Sequence, residues 1–131
     1  MTGAGPASSR RPEILVVEDE EAIRETLVEC LEGEGYAACG AADGAEALEL
    51  IGRSGPPDLV LADLVMPVMN GAELLERMRA DPATRGVPVV LMTAATPRGK
   101  ESLPPADAVL AKPLELDAVL GIVARCVRRA G

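Results

Sequence analysis

The chain has 131 residues, 48% of them hydrophobic, which is one domain's worth of sequence able to bury roughly two thirds of its unfolded surface around a single core. A net charge of −8 argues against nucleic-acid binding, which draws its affinity from basic groups set on phosphates. The absence of histidine excludes a histidine phospho-carrier, a His-based catalytic triad and most transition-metal sites, and with no Trp or Phe and one Tyr the core must be aliphatic.

Residues 1–12 are Gly, Ala, Ser and Pro with two arginines, too polar and too broken to pack, and read as a flexible tail ahead of a domain over 13–131. No apolar stretch of signal-peptide length opens the chain, since four apolar residues, Ile14 to Val17, separate Arg10-Arg11 from Glu18. A cytoplasmic protein without membrane contact is the expectation. The first strand, 14–17, ends on Glu18-Asp19. A helix over 20–34 follows, with Ile23, Leu27, Cys30 and Leu31 at i, i+4, i+7 and i+8 forming one face and Gly33 and Gly35 ending it. Residues 36–42 form a short strand of small residues, weak enough for a sheet edge. Asp43-Gly44-Ala45-Glu46 is a capping box opening a helix that carries Ala47, Leu48 and Ile51 and stops near Gly55-Pro56-Pro57.

Leu59-Val60-Leu61-Ala62 is a short apolar run, read as a strand buried on both faces, and it ends on Asp63. Pro67 and Gly71 interrupt regular structure before Asn70-Gly71-Ala72-Glu73 repeats the capping logic for a helix that buries Leu74, Leu75 and Met78. Pro88 leads into a strand, Val89 to Met92, that ends on Thr93. Between residues 96 and 106, Pro97, Pro104 and Pro105 confine any fourth helix to a turn or two. The fifth strand, Ala108 to Ala111, ends on Lys112, and a last helix from about Glu115 to Arg129 turns Leu116, Val119, Leu120 and Val123 inward. Cys30, Cys39 and Cys126 are odd in number and lack Cys-x-x-Cys spacing, so they read as small buried hydrophobes in a reducing compartment.

Strands alternating with helices predict an α/β fold with right-handed crossovers. Four apolar runs each hand over to a polar residue, and parallel neighbours would bring three carboxylates, a hydroxyl and an ammonium to one edge of the sheet, where open α/β sheets collect ligands. Three carboxylates held together repel one another unless a cation neutralises them. Oxygen ligands without an Asp-x-Asp-x-Asp-Gly loop suit Mg²⁺, which takes one or two carboxylates, keeps waters and accepts phosphoryl oxygens.

The acidic pair Glu18-Asp19, Asp63 followed by Met66-Pro67 and Asn70-Gly71, Thr93-Ala94 and Lys112-Pro113, in this order and each after a strand-like run, resemble the receiver domain of two-component response regulators, from about Glu13 to Arg129. The resemblance implies a doubly wound, five-stranded parallel sheet of flavodoxin-like order 2-1-3-4-5, here with a shortened or irregular fourth helix. It implies that Glu18, Asp19, Asp63 and the backbone carbonyl of Val65 hold Mg²⁺, with Glu18, where the family often has Asp, long enough to act through a water. Asp63 would be the phosphorylated nucleophile, taking a phosphoryl group from a histidine kinase or phosphotransfer protein. Lys112 would neutralise a phosphoryl oxygen, and Thr93 would donate its hydroxyl to one and so switch the surface that binds a downstream protein target.

Two departures from the family fall together. An aromatic residue usually stands three positions before the Lys, where this chain has Val109, and the fourth helix is broken. Signalling through a remodelled face, or mainly through the first helix, is the expectation. Val65 and Ala95, at positions that tune phosphate lifetime in the family, cannot orient an attacking water, which implies slow self-dephosphorylation. The chain is expected to act as a stand-alone receiver, an enzyme only toward its own phosphorylation and dephosphorylation. The alternative is a receiver-like adaptor that binds partners constitutively. A small-molecule phosphohydrolase would need a second acid in an Asp-x-Asp pair, where residue 65 is Val, and a nucleotide-binding domain would need a Gly-x-Gly-x-x-Gly after the first strand.

Overall fold

Successive side chains of a strand point to opposite faces of a sheet, and the central runs of this chain are apolar at every position, so both faces must be covered. The computed structural model describes residues 11–94 and 106–130. In chain order they form β1 (Glu13–Val17), α1 (Glu21–Gly33), β2 (Ala37–Ala41), α2 (Gly44–Ser54), β3 (Leu59–Asp63), α3 (Gly71–Ala80), β4 (Val89–Thr93), β5 (Ala108–Ala111) and α4 (Leu116–Ala130). All strand pairs are parallel and the order is β2-β1-β3-β4-β5, the doubly wound order expected, with β2 at an edge.

The alternation sorts the core into two layers. Leu15, Val17, Val60, Ala62, Val89 and Leu91 pack with Ala47 of α2 and Leu74, Leu75 and Met78 of α3. Ile14, Val16, Leu59, Leu61, Val90 and Met92 pack with Leu27 and Leu31 of α1 and with Val119, Val123 and Cys126 of α4. Every residue of β3 and of β4 is buried. Each such aliphatic side chain contributes about 1.5–3 kcal/mol on leaving water, so an almost wholly aliphatic core, with Tyr36 packed at its side, holds these two strands and the polar residues at their ends in place.

Several sequence expectations need correction. Asp43 does accept the Glu46 N–H at 2.9 Å, but Glu46 reaches past it to the N–H of Ala42. The complete box is at Asn70, which exchanges bonds with Glu73 in both directions. Of the three cysteines only Cys126 is buried, and Cys39 is exposed on the edge strand, where its face of β2 has no helix fully over it. Leu116 is exposed because it is the first residue of α4, ahead of the turn that meets the sheet. The expected short fourth helix, and residues 1–10 of the expected tail, lie outside the described residues.

Gly71 ties α3 to the end of β3. Its N–H donates to the Leu64 carbonyl at 2.9 Å, and a Cβ there would stand 2.5 Å from the Asp63 carbonyl oxygen and 3.0 Å from the Leu64 Cα. Both are backbone atoms of the strand end and cannot swing aside. Helix propensity favours Ala over Gly by about 1 kcal/mol, whereas overpacking costs about 1–3 kcal/mol. Gly71→Ala should therefore lower stability despite the better helix former, measured as a lower urea midpoint at unchanged m-value. A raised midpoint would show that α3 can shift away from β3.

Candidate functional site

Parallel register assembles the site. Val17 pairs with Ala62, Asp63 with Met92 and Thr93 with Ala111, so the residues at the carboxyl ends of β1, β3, β4 and β5 finish at one level. Glu18 follows β1 and is 0% exposed; Asp63 ends β3 and is 6% exposed. Lys112, the residue after β5, donates from Nζ to Asp63 Oδ2 at 2.8 Å and to Glu18 Oε1 at 3.1 Å. Its own backbone N–H donates to the Thr93 carbonyl at 2.8 Å, which fixes the base of the side chain. Glu18, Asp19 and Asp63 each offer a carboxylate oxygen within 4.8 Å of the others.

The backbone around these acids is tied from several sides. The Glu20 N–H donates to Glu18 Oε2 at 3.1 Å, and Arg24 Nη1 donates to the Glu18 carbonyl at 2.8 Å. After Asp63, the Leu64 N–H donates to the Met92 carbonyl at 2.8 Å, and the Val65 N–H makes a long contact of 3.4 Å to Asp63 Oδ1. Thr93 is buried at the end of β4, the strand beside Asp63, while Val109 is exposed on β5.

The chain matches the family model of the response regulator receiver domain over residues 14–124. It belongs to that family. The receiver is similar to the DNA-binding response regulator MtrA of Mycolicibacterium smegmatis, 44% identical over 86 residues that make up 66% of this chain and 36% of MtrA. It therefore spans little more than a third of that relative's length. Among solved structures, the chemotaxis response regulator CheY4 of Vibrio cholerae superposes with a TM-score of 0.80 at 28% identity, covering 88% of this chain and 98% of that one. A sensor protein from a Polaromonas species gives a TM-score of 0.83 at 26% identity, covering 92% and 99%. No helix of the described residues is long and apolar enough to cross a membrane.

The receiver's acidic pocket fits the Mg²⁺ that the family implies. Lys112 compensates one of the three carboxylates and leaves two negative charges, matching a divalent cation, and the donors are all oxygen. Glu18, Asp19 and Asp63 would hold the ion; the Val65 carbonyl joins them on family grounds, and Val65 follows Asp63 by two residues with its side chain exposed. Burial pushes the Glu18 carboxyl above its ordinary value, partly offset by the Glu20 N–H and the Lys112 ammonium. Burial pulls the Lys112 ammonium down, but its bonds to Asp63 and Glu18 outweigh this and the net direction is upward, so the lysine is charged at neutral pH.

Reading the sequence missed two features of this site. Arg24 reaches the Glu18 backbone, and its only sequence signal is a basic residue in the first turn of a helix, where the macrodipole favours acids. Val68 has φ +68°, a left-handed conformation that a β-branched residue rarely adopts. The Met69 N–H donates to the Pro67 carbonyl at 2.7 Å across it, a γ-turn of the strained kind, and its side chain is 80% exposed.

Because Val68 buries nothing, Val68→Gly should stabilise the receiver by up to about 1 kcal/mol, relief of about 1–3 kcal/mol of backbone strain outweighing the roughly 0.5–1 kcal/mol entropic cost of glycine. An unchanged melting temperature would show that the turn carries no strain. Lys112→Met should destabilise the metal-free protein at neutral pH by about 3–5 kcal/mol, the usual loss when one partner of a buried ion pair is removed. The sign of its pH dependence follows from Glu18. A carboxyl raised in the folded state from 4.5 contributes stability that is present below that value and lost as pH rises through the folded one. Without Lys112 the folded value rises further, so the deficit against wild type should be largest near neutrality and narrow as Glu18 takes up its proton. Urea titrations across that range check it, and a pH-independent deficit would mean that Glu18 is not the group left unpaired.

Proposed function

We propose that this receiver accepts a phosphoryl group on Asp63 from a phospho-histidine of a histidine kinase or phosphotransfer protein and thereby controls the binding of a downstream protein. The observation that carries the reading is the Lys112 ammonium 2.8 Å from Asp63 Oδ2 inside a cluster of three acids, an arrangement that can offset negative charge gathering on a carboxylate and a phosphoryl group at once. Oδ2 is engaged by Lys112, while Oδ1 has only the long contact from Val65, so Oδ1 is the oxygen free to attack. The Asp63 oxygen forms a bond to phosphorus as the bond from phosphorus to the imidazole nitrogen breaks; that nitrogen keeps the electron pair, and the histidine leaves neutral with a proton on the other ring nitrogen. Bound Mg²⁺ would supply charge neutralisation of the phosphoryl oxygens.

Lys112 then turns its remaining donor capacity to the phosphoryl group, and the buried Thr93 offers a hydroxyl from the neighbouring strand. The chain would catalyse only its own phosphorylation and hydrolysis. A kinase that draws on ATP places the exchange in the cytoplasm. A net charge of −8 favours protein partners over nucleic acid for this domain, and the DNA-binding property in the name of MtrA belongs to a chain of which this one covers 36%. Val109, exposed where the family carries an aromatic residue, favours the second reading, an adaptor that binds its partner without phosphorylation.

Intact mass after incubation with a small-molecule phosphodonor and Mg²⁺ separates the two. A single phosphoryl adduct, lost in Asp63→Ala and in the presence of a chelator, is expected. No adduct with small donors or with candidate kinases would leave the constitutive adaptor.

A further inference from the structure

Glu18 and Asp19 lie on a link of three residues between the end of β1 and the start of α1. Two like charges on so short a link, one of them fully buried, need the backbone itself to be held. The Glu18 N–H is bound to the Ala41 carbonyl at 3.0 Å, which secures one side. The other side depends on Arg24. Its guanidinium donates to the Glu18 carbonyl at 2.8 Å, the peptide group that leads into Asp19, while its backbone N–H makes the first helical bond, to the Glu20 carbonyl at 2.9 Å, so the side chain reaches back over the link from the first turn of α1. The N-cap residue Glu20 makes no side-chain capping bond, and the Arg24 side chain is a tie between the first turn of α1 and the acidic link. Asp19 is exposed, so its position is set through its backbone more than by packing.

Gly40 of β2 completes the arrangement. A Cβ at residue 40 would stand 2.9 Å from both Cγ and Cδ of Arg24 and 3.5 Å from its Nε. These are stem atoms of a side chain whose far end is already bonded, so they cannot move away without loosening the contact to Glu18. Glycine weakens a strand and often marks a close approach by another group; here that group is the arginine stem.

We propose that Arg24 is a positioning residue for the acidic pair Glu18-Asp19, and that residue 40 is glycine to let the Arg24 stem lie across the edge of the sheet. The proposal rests on the reading of the pocket as a Mg²⁺ site that serves phosphorylation of Asp63. Electrostatics and positioning make opposite predictions for it. Removing a nearby positive charge would, by Coulomb's law alone, tighten the binding of a divalent cation. Losing the hold on the ligands' backbone loosens it, typically by 10- to 100-fold for a partner one shell removed from the metal.

Calorimetric titration of the metal-free full chain with MgCl₂ tests this in wild type, Arg24→Ala, Gly40→Ala and the double variant, with Asp63→Asn as the control for the site. Each single variant should bind Mg²⁺ about 10-fold more weakly. The double variant should be no weaker than Arg24→Ala, because that substitution removes the three atoms nearest to a methyl at residue 40. Such a coupled cycle separates positioning from two independent losses of stability. Melting curves without Mg²⁺ identify which variants are folded, and if Arg24→Ala is not, Gly40→Ala, which keeps the charge, decides alone. Affinity unchanged or tighter in the folded variants, or losses that simply add, overturns the proposal while leaving the Mg²⁺ reading intact. Wild type that binds no Mg²⁺ overturns the reading and the proposal together.

Discussion

Three carboxylates within 4.8 Å of one another, one of them wholly buried, are tolerable only beside a positive charge, and in this receiver the charge comes from the last strand. Lys112 lies between Glu18 and Asp63. Removing two carboxylates and an ammonium from water costs several kcal/mol per ion, and their mutual attraction returns it only with good geometry. That geometry is the common purpose of otherwise separate features: the register that levels the strand ends, the bond from the Lys112 N–H to Thr93, and the seat of Gly71 against the Asp63 carbonyl. The arrangement is costly for a protein that needs only to fold. It makes sense where the pocket must also receive cations and phosphoryl oxygens.

The site stands on the most fully buried strands of the sheet. β3 and β4 are buried at every position, so Asp63 and Thr93 are carried by strands packed on both faces. The loop that follows Asp63 is held as well: the Gly71 N–H returns to Leu64, and the Gly44 N–H at the start of α2 takes the Met69 carbonyl at 3.0 Å. Between these ties stands Val68, exposed and in a conformation that its branched side chain resists. Strain of this kind survives where surrounding structure dictates the backbone, and here it does so in the loop that follows Asp63.

Much of this was legible beforehand, because the signals were of the sort that periodicity carries. An apolar run that stops on a polar residue states both the strand and its carboxyl end, and four such runs point to Glu18, Asp63, Thr93 and Lys112. The edge place of β2 followed from its small residues. What was not legible was which atoms meet. That Lys112 bridges two acids and that Arg24 reaches a backbone carbonyl while resting on Gly40 are contacts across elements, which no local pattern records, and which N–H Glu46 takes at its own helix start is a choice between neighbours that the capping pattern does not make. Cys39 and Leu116 look like core residues by type and are exposed by position, one on an edge strand and the other at a helix start.

Glu18 and Lys112 are separated by 94 residues in sequence. Contacts of such span close late, after the loop entropy between them has been overcome, and synthesis delivers the chain from its N-terminus. A nascent chain that has emerged only through β4 holds all three acids and lacks the ammonium that lets them sit together. Assembly of the three acids with their counter-charge therefore waits on the docking of the fifth strand, so the ion pair reports that the far edge of the sheet is in place.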